Sequence, residues 1–396
     1  MPSLPSVASL AASVSVAALA LLLTPAGAPA SQINTGGAAG AYYGSFCPPL
    51  SSQLKLAQLD YKCVPSSGTR ENMERVAANP RQLGYAQLDV FVLENRQMKP
   101  DNAFTVVRQD DVRECLFAVT RNKQISNWGE LAGQAVNLRI ILPPATSGSA
   151  GTFQFLRSID ADGIGRVKSA TNAASTEDAI RQALSADDTV SLFVQFADPD
   201  SERFEMVRKL GGHLVPVIDR NILRQEVGGK KIYFAQETQV ENSGWIKSGR
   251  KVVTACTPLV VFTGNPDRVS GEQAKKDHED MIRTVNAIGS GSLLPEESIL
   301  SKALKRTKEL SAVSTEKVLE LTDEAREKAK PYTDKAKEAA EETAKQAKQA
   351  AERATDAAKP YIDKTKEAAQ KAYDDALKAA KDLIDKSKPE NAPKKN

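Results

Sequence analysis

Short apolar runs and stretches with helical spacing alternate over the first 290 residues; beyond Gly291 the large apolar side chains thin out and alanine alternates with charge. Gln32-Ile33-Asn34 predicts a short strand. Residues 61–64 predict a second, running directly into Ser66-Ser67-Gly68-Thr69 and a helix to about Ala78. A strand at 83–86 follows, and the unbroken apolar run at 114–120 predicts another. Strand, loop, helix, strand is the signature of a parallel α/β sheet, whose ligands bind beyond the carboxyl ends of the strands. A second unit of this kind opens at 137–142 and passes through Ser147-Gly148-Ser149-Ala150-Gly151-Thr152 into a helix at 153–159. An amphipathic helix with Ala179, Ile180, Ala183 and Leu184 on one face comes next, then strands at 190–196 and 213–218. Residues 251–262 predict a long apolar strand, and 267–288 a helix.

The pattern changes after residue 291. No glycine occurs there, and the Ala-rich, charge-balanced composition is strong helix material. Ala329-Lys330-Pro331-Tyr332-Thr333-Asp334-Lys335 recurs 29 residues later as Ala358-Lys359-Pro360-Tyr361-Ile362-Asp363-Lys364. Twenty-nine residues make about eight turns at 3.6 per turn, so the copies return to one face. Prolines 331 and 360 are expected to divide this coiled-coil-type tail into three helical pieces.

Charge narrows the function classes. Residues 301–396 hold 23 Lys+Arg and 19 Asp+Glu, leaving 30 and 31 for residues 1–300 out of totals of 53 and 50. A front part at −1 and a tail at +4 carry no nucleic-acid footprint. Residues 1–30 lack any charged side chain and include the apolar run 14–23 followed by Ala28-Pro29-Ala30, which predicts a cleaved signal peptide and export to the periplasm. Four cysteines, Cys47, Cys63, Cys115 and Cys256, would then meet an oxidising compartment and allow two disulfides in three connectivities. Their spacing is not that of a zinc site, and with only His213 and His278 no metal is expected.

The sequence also limits the chemistry. Ser147-Gly148-Ser149-Ala150-Gly151 has serine where a G-x-S-x-G nucleophile elbow needs its first glycine, so a hydrolase using Ser149 is the weaker reading. No Walker loop or G-x-G-x-x-G occurs, and no cofactor is expected. Three Gly/Ser/Thr loops remain: residues 35–44, 66–69 and 147–152. Small residues opening a helix leave backbone N–H groups free to face an anion. The candidate ligand-binding residues in these loops are therefore Gly37, Tyr42, Ser67, Gly68, Thr69, Ser147, Ser149 and Thr152. Arg70 is placed to supply a countercharge.

These residues resemble the TAXI-type solute receptors of tripartite ATP-independent periplasmic (TRAP) transporters. Asn34-Thr35-Gly36-Gly37 through Tyr42-Tyr43 is similar to that family's opening motif, and Ser67-Gly68-Thr69-Arg70-Glu71-Asn72 to its second loop. Gly84-Tyr85-Ala86-Gln87-Leu88-Asp89 is similar to its Q-x-D strand, and Ser147 to Thr152 to its G-S-G-T loop. The resemblance covers about 33–288 and implies a type II periplasmic-binding-protein fold of two α/β lobes joined by crossing strands. Lobe one is expected at 31–114 and 257–290, lobe two at 115–256, and an extended α-helical tail at 291–396. It implies capture of a small anionic solute, an amino acid or carboxylate, between the lobes for membrane transporter subunits, with Asn72 and Gln87 as further ligand-binding residues that complete the polar lining. Crossing strands lie side by side in such folds, which implies Cys115–Cys256, leaving Cys47–Cys63. Phe46-Cys47-Pro48-Pro49 is expected to interrupt the helix after Tyr43. The tail resembles late-embryogenesis-abundant proteins and apolipoproteins, and the alternative reading makes it the working part of an envelope-spacing or surface-binding protein.

Overall fold

The computed structural model describes residues 31–38, 40–98, 102–242, 249–289, 293 and 308–386. The expected signal peptide lies outside them. The chain divides into two units: unit one, Met1–Ala86, Glu94–Asp110 and Val260–Ser298, and unit two, Gln87–Leu93, Asp111–Leu259 and Ile299–Asn396.

The first elements in chain order are β1 (Ser31–Asn34), α1 (Cys47–Leu56), β2 (Tyr61–Val64), α2 (Thr69–Ala78), β3 (Leu83–Gln87) and α3 (Leu88–Gln97). The long β4 (Phe104–Thr120) leads to α4 (Trp128–Gly133), β5 (Arg139–Leu142), α5 (Gly148–Ile159), β6 (Ser169–Asn172), α6 (Thr176–Ala183) and β7 (Thr189–Gln195). Then come α7 (Glu202–Lys209), β8 (His213–Pro216), the one-turn α8 (Arg220–Leu223), the small hairpin β9 (Glu226–Val227) and β10 (Lys230–Lys231), and β11 (Phe234–Gln239). β12 (Lys251–Gly264), α9 (Glu272–Ala287), β13 (Lys308–Glu309) and α10 (Ala312–Lys386) close the chain.

In unit one β1 lies between β2 and β3, parallel to both, with Ile33 opposite Cys63 and Leu83. The end of β12 follows β3 in the sheet order. Leu50 and Leu54 of α1 and Met73 and Val76 of α2 are fully buried in this unit. Gly84 has a specific reason to lack a side chain: a Cβ there would lie 2.5 Å from the Phe262 ring. The two prolines after Cys47 do not interrupt a helix. A five-residue π turn, Tyr42–Phe46, leads straight into α1, and prolines in a first turn remove N–H groups that have no intrahelical acceptor there. The Cys47–Cys63 disulfide then fastens α1 to β2.

In unit two β5 pairs in parallel with β6 and β7, while β4 is antiparallel to both β7 and β8. Phe117, Phe193 and Phe204 interlock in its core, 5.0 Å separating the centroids of Phe117 and Phe204. β11 runs antiparallel to β12, and Cys115 on β4 is bonded to Cys256 on β12. β4 and β12 each contain residues of both units. The molecule therefore has the expected class: two α/β units joined by crossing strands, followed by a helical tail.

The tail differs from expectation in two ways. α10 runs unbroken for 75 residues through both prolines. At 3.6 residues per turn Pro331 and Pro360 fall on the charged side of the helix, opposite its alanines, so the carbonyls they release point to water, and long runs of good helix formers flank each one. The start of α10 is also packed into unit two. A Cβ at Gly129 would lie 2.2 Å from the Thr322 carbonyl oxygen, and one at Gly133 2.2 Å from the Ala329 Cβ, so these two glycines let α4 and α10 touch. Leu319 is buried with Ile218 and Ala235, β13 extends the β11 edge, and Arg326 pairs with the buried carboxylates of Asp160 and Asp219.

Candidate functional site

Each unit sends a parallel strand into a glycine-bearing turn and then a helix: β2 to α2 in unit one, β5 to α5 in unit two. The first N–H groups of both helices have no intrahelical acceptor by geometry.

In unit one, the turn is stitched to the end of β1. The Thr35 carbonyl accepts from Ser66 Oγ at 2.8 Å and from Asn72 Nδ2 at 2.5 Å, while Asn72 Nδ2 also donates to the Tyr85 carbonyl. Asn72 is therefore a fully buried staple, with Oδ1 lacking a partner among the described residues. Gly68 caps α2 at φ 138°, a conformation that L side chains rarely adopt. Ser67 is already engaged: its N–H and Oγ donate to the Glu71 carboxylate at 2.7 and 2.6 Å. These bonds, and then Arg75, hold the Glu71 carboxyl below the usual carboxylate range. Thr69 is buried at the first helical position. The expected countercharge is not free, because Arg70 is bonded to buried Glu94 at 2.7 Å. Tyr42 stacks on Tyr85 with centroids 5.8 Å apart, and Gly37 is exposed in the first loop.

In unit two, Ser147 caps α5 by accepting from the Ala150 N–H at 3.3 Å. The hydroxyls of Ser149 and Thr152 both face inward. Ser149 Oγ accepts from the Val194 N–H at 3.0 Å, and Thr152 Oγ1 donates to Asp89 Oδ2 at 2.6 Å. Tyr233 donates to the same oxygen at 2.8 Å. Burial raises the Asp89 carboxyl above its ordinary range against the lowering effect of those two donors, and Asp89 Oδ1 has no partner among the described residues. Sequence reasoning missed this pair: Asp89 stood in the quoted Gln87-Leu88-Asp89 string, but nothing local marks Tyr233, which is 144 residues away. A Cβ at Gly148 would lie 1.9 Å from Gln87 Oε1, so the Gln87 amide rests against the first residue of α5. That amide is buried and its Oε1 is unpartnered among the described residues.

The hydroxyls of Ser149 and Thr152 are thus engaged inward, and the N–H groups of Ser67 and Gly68 are bonded to Glu71 and Ser66 Oγ, so the backbone donors that helix geometry leaves open here are those at the start of α5. At Ser149 the buried, bonded hydroxyl does not suit a nucleophile. His213 and His278 bind the carbonyls of Ile125 and Gly264.

No family model and no curated protein sequence matches the chain. Among solved structures it is similar to PhnD1 from Prochlorococcus marinus in complex with methylphosphonate, at 13% identity and TM-score 0.40, covering 74% of this chain and 97% of that one. It is also similar to the GluR0 ligand-binding core in complex with L-glutamate, at 10% and 0.38, covering 71% and 98%. CA3427 of Candida albicans, described as exhibiting the generic periplasmic binding protein fold, matches at 11% and 0.38 over 76% and 94%.

Proposed function

We propose that the chain is an exported receptor for a small anionic solute, an amino acid or carboxylate, of the TAXI type and serving TRAP transporter subunits. The observation that carries the proposal is the N-terminus of α5. Its first turn has no acidic residue, the N–H groups of Gly148 and Ser149 are orphaned by helix geometry, and the buried Gln87 amide, whose Oε1 has no partner among the described residues, lies against Gly148. A half-turn of that amide exchanges Oε1 for an NH2 donor, which suits a carboxylate. The N-terminus of α2 is the poorer of the two for an anion, because the Glu71 carboxylate already faces Ser67 there. A helix end adds about 0.3–1 kcal/mol when exposed and up to about 2 when partly buried, so affinity is expected to be modest unless water is excluded. Two disulfides support an oxidising compartment, and no helix among the described residues is long and apolar enough to cross a membrane.

Thermal-shift measurements across an amino-acid and carboxylate panel test this reading. The wild-type chain is expected to be stabilised by at least one anion, and Gln87→Glu, which sets a negative charge beside α5, is expected to remove that stabilisation. Absence of any anion-dependent shift in the wild type, or an equal shift in Gln87→Glu, would overturn it.

The length of α10 beyond its docked start favours a second role for the same chain, attachment to an envelope surface through the tail. Co-sedimentation of the full chain with cell-wall sacculi tests that role, and a chain left wholly in the supernatant would rule it out.

A further inference from the structure

We propose that two copies of this chain associate through one face of α10. Alanine recurs along this helix every eleven residues, at Ala325, Ala336, Ala347, Ala358, Ala369 and Ala380. Four residues on from each come Ala329, Ala340, Ala351, Ile362, Tyr373 and Ile384. Acidic residues keep the same period at Glu341, Glu352, Asp363 and Asp374, on the other side of the helix. Eleven residues in three turns is 3.67 per turn, close enough to the α-helical value for the apolar face to run nearly straight along the whole helix.

This face is continuous with an interface already formed. At its start Ala329 meets Gly133 of α4. Beside that meeting point, Val318, Leu321 and Ala325 line a cavity of about 770 Å³ together with Pro216, Ile218 and Val253. Leu321 is 67% exposed there. Further along, Ala347, Ala351, Ala354, Ala369 and Tyr373 are exposed.

Three features select a second copy as the occupant. Residues 331–386 carry 12 Lys+Arg and 12 Asp+Glu, so the helix has no net attraction for anionic lipid or nucleic acid. A face made mainly of methyl groups packs well only where another backbone comes close, as α4 does, whereas a lipid interface takes Trp, Phe and Leu. A face that repeats every eleven residues is complementary to itself, as a two-fold interface requires.

The four native cysteines are bonded in pairs, so an introduced cysteine is the free thiol in the described protein. Sedimentation equilibrium of the full chain is expected to give a dimer, and the full chain carrying Ala347→Glu with Ala369→Glu a monomer; glutamate keeps the helix while charging the face. Under mild oxidation Ala347→Cys and Ala369→Cys are expected to form covalent dimers, and Gln349→Cys and Lys371→Cys on the charged side are not. A monomeric wild type at 0.1 mM, set here as the upper concentration, would overturn the proposal; so would a dimer that survives both glutamates, or equal cross-linking on the two sides. Binding of a still monomeric chain to phosphatidylglycerol vesicles would assign the face to lipid instead.

Discussion

At the scale of single residues, the buried Asp89 ties together three distant stretches of unit two. Its Oδ2 receives Thr152 of α5 and Tyr233, the residue preceding β11, while the carboxyl itself opens α3. Replacing Thr152 by valine keeps the shape and deletes one of the two hydroxyl donors, leaving a buried carboxyl less satisfied. Urea denaturation is expected to show a loss on the order of 1–3 kcal/mol; an unchanged midpoint would mean that the bond does not hold α5 in place. The loops that bear Ser67, Gly68, Ser147 and Ser149 were legible in the sequence, because Gly, Ser and Thr directly ahead of a helical stretch are the residues that turn and cap its N-terminus. Which way their hydroxyls turn was not legible. That depends on partners such as Val194 and Glu71, and the link from Asp89 to Tyr233 depends on how distant strands come together.

At the scale of elements, β1, β2, β3, β5, β7, β8 and β12 were legible as short or long strand runs, α6 from its amphipathic face and α2 from the turn that opens it, whereas β6, β11 and the first half of β4 were not. The continuity of α10 was not, because proline's local cost is visible in a sequence while the helix-forming strength of the 19 to 28 residues on either side must be summed. The docked start of α10 was also hidden: nothing in the sequence around Gly129 and Gly133 marks the helix that packs against them. Arg326 neutralises Asp160 and Asp219, whose carboxyls are almost wholly buried; burial raises Asp219 and the Arg326 charge opposes that rise. Arg326→Ala strands two acids and is expected to destabilise unit two by on the order of 3 kcal/mol. Arg220 on α8, paired with exposed Glu316 and Asp323, is expected to cost far less when replaced by alanine. Chemical denaturation of the two variants side by side checks the ranking, and equal losses would contradict it.

At the scale of the whole molecule, stability is tied to pH and to redox state. His278 on α9 is buried, and burial pushes its imidazole below the ordinary range against the raising effect of the Gly264 carbonyl. The folded chain therefore holds fewer protons at this group than the unfolded chain does, so this contribution to stability is lost as pH falls through about 6.5. Unfolding free energy measured from about pH 7.5 to 5.5 is expected to decline, and His278→Asn to lessen the slope; identical slopes would exclude His278 as the source. The Cys47–Cys63 bridge spans 16 residues. Replacing both cysteines by serine is expected to cost about 3 kcal/mol by loop entropy. Calorimetry of that double variant is the check, with an unshifted melting temperature as the contrary result.

The receptor reading is tested most directly by mass spectrometry of small molecules released when the exported, purified protein is denatured. The account predicts one small anion, close to one per chain, that is missing from Gln87→Glu prepared in the same way. A neutral or cationic molecule at that stoichiometry, or the same anion in equal amount from Gln87→Glu, would contradict it.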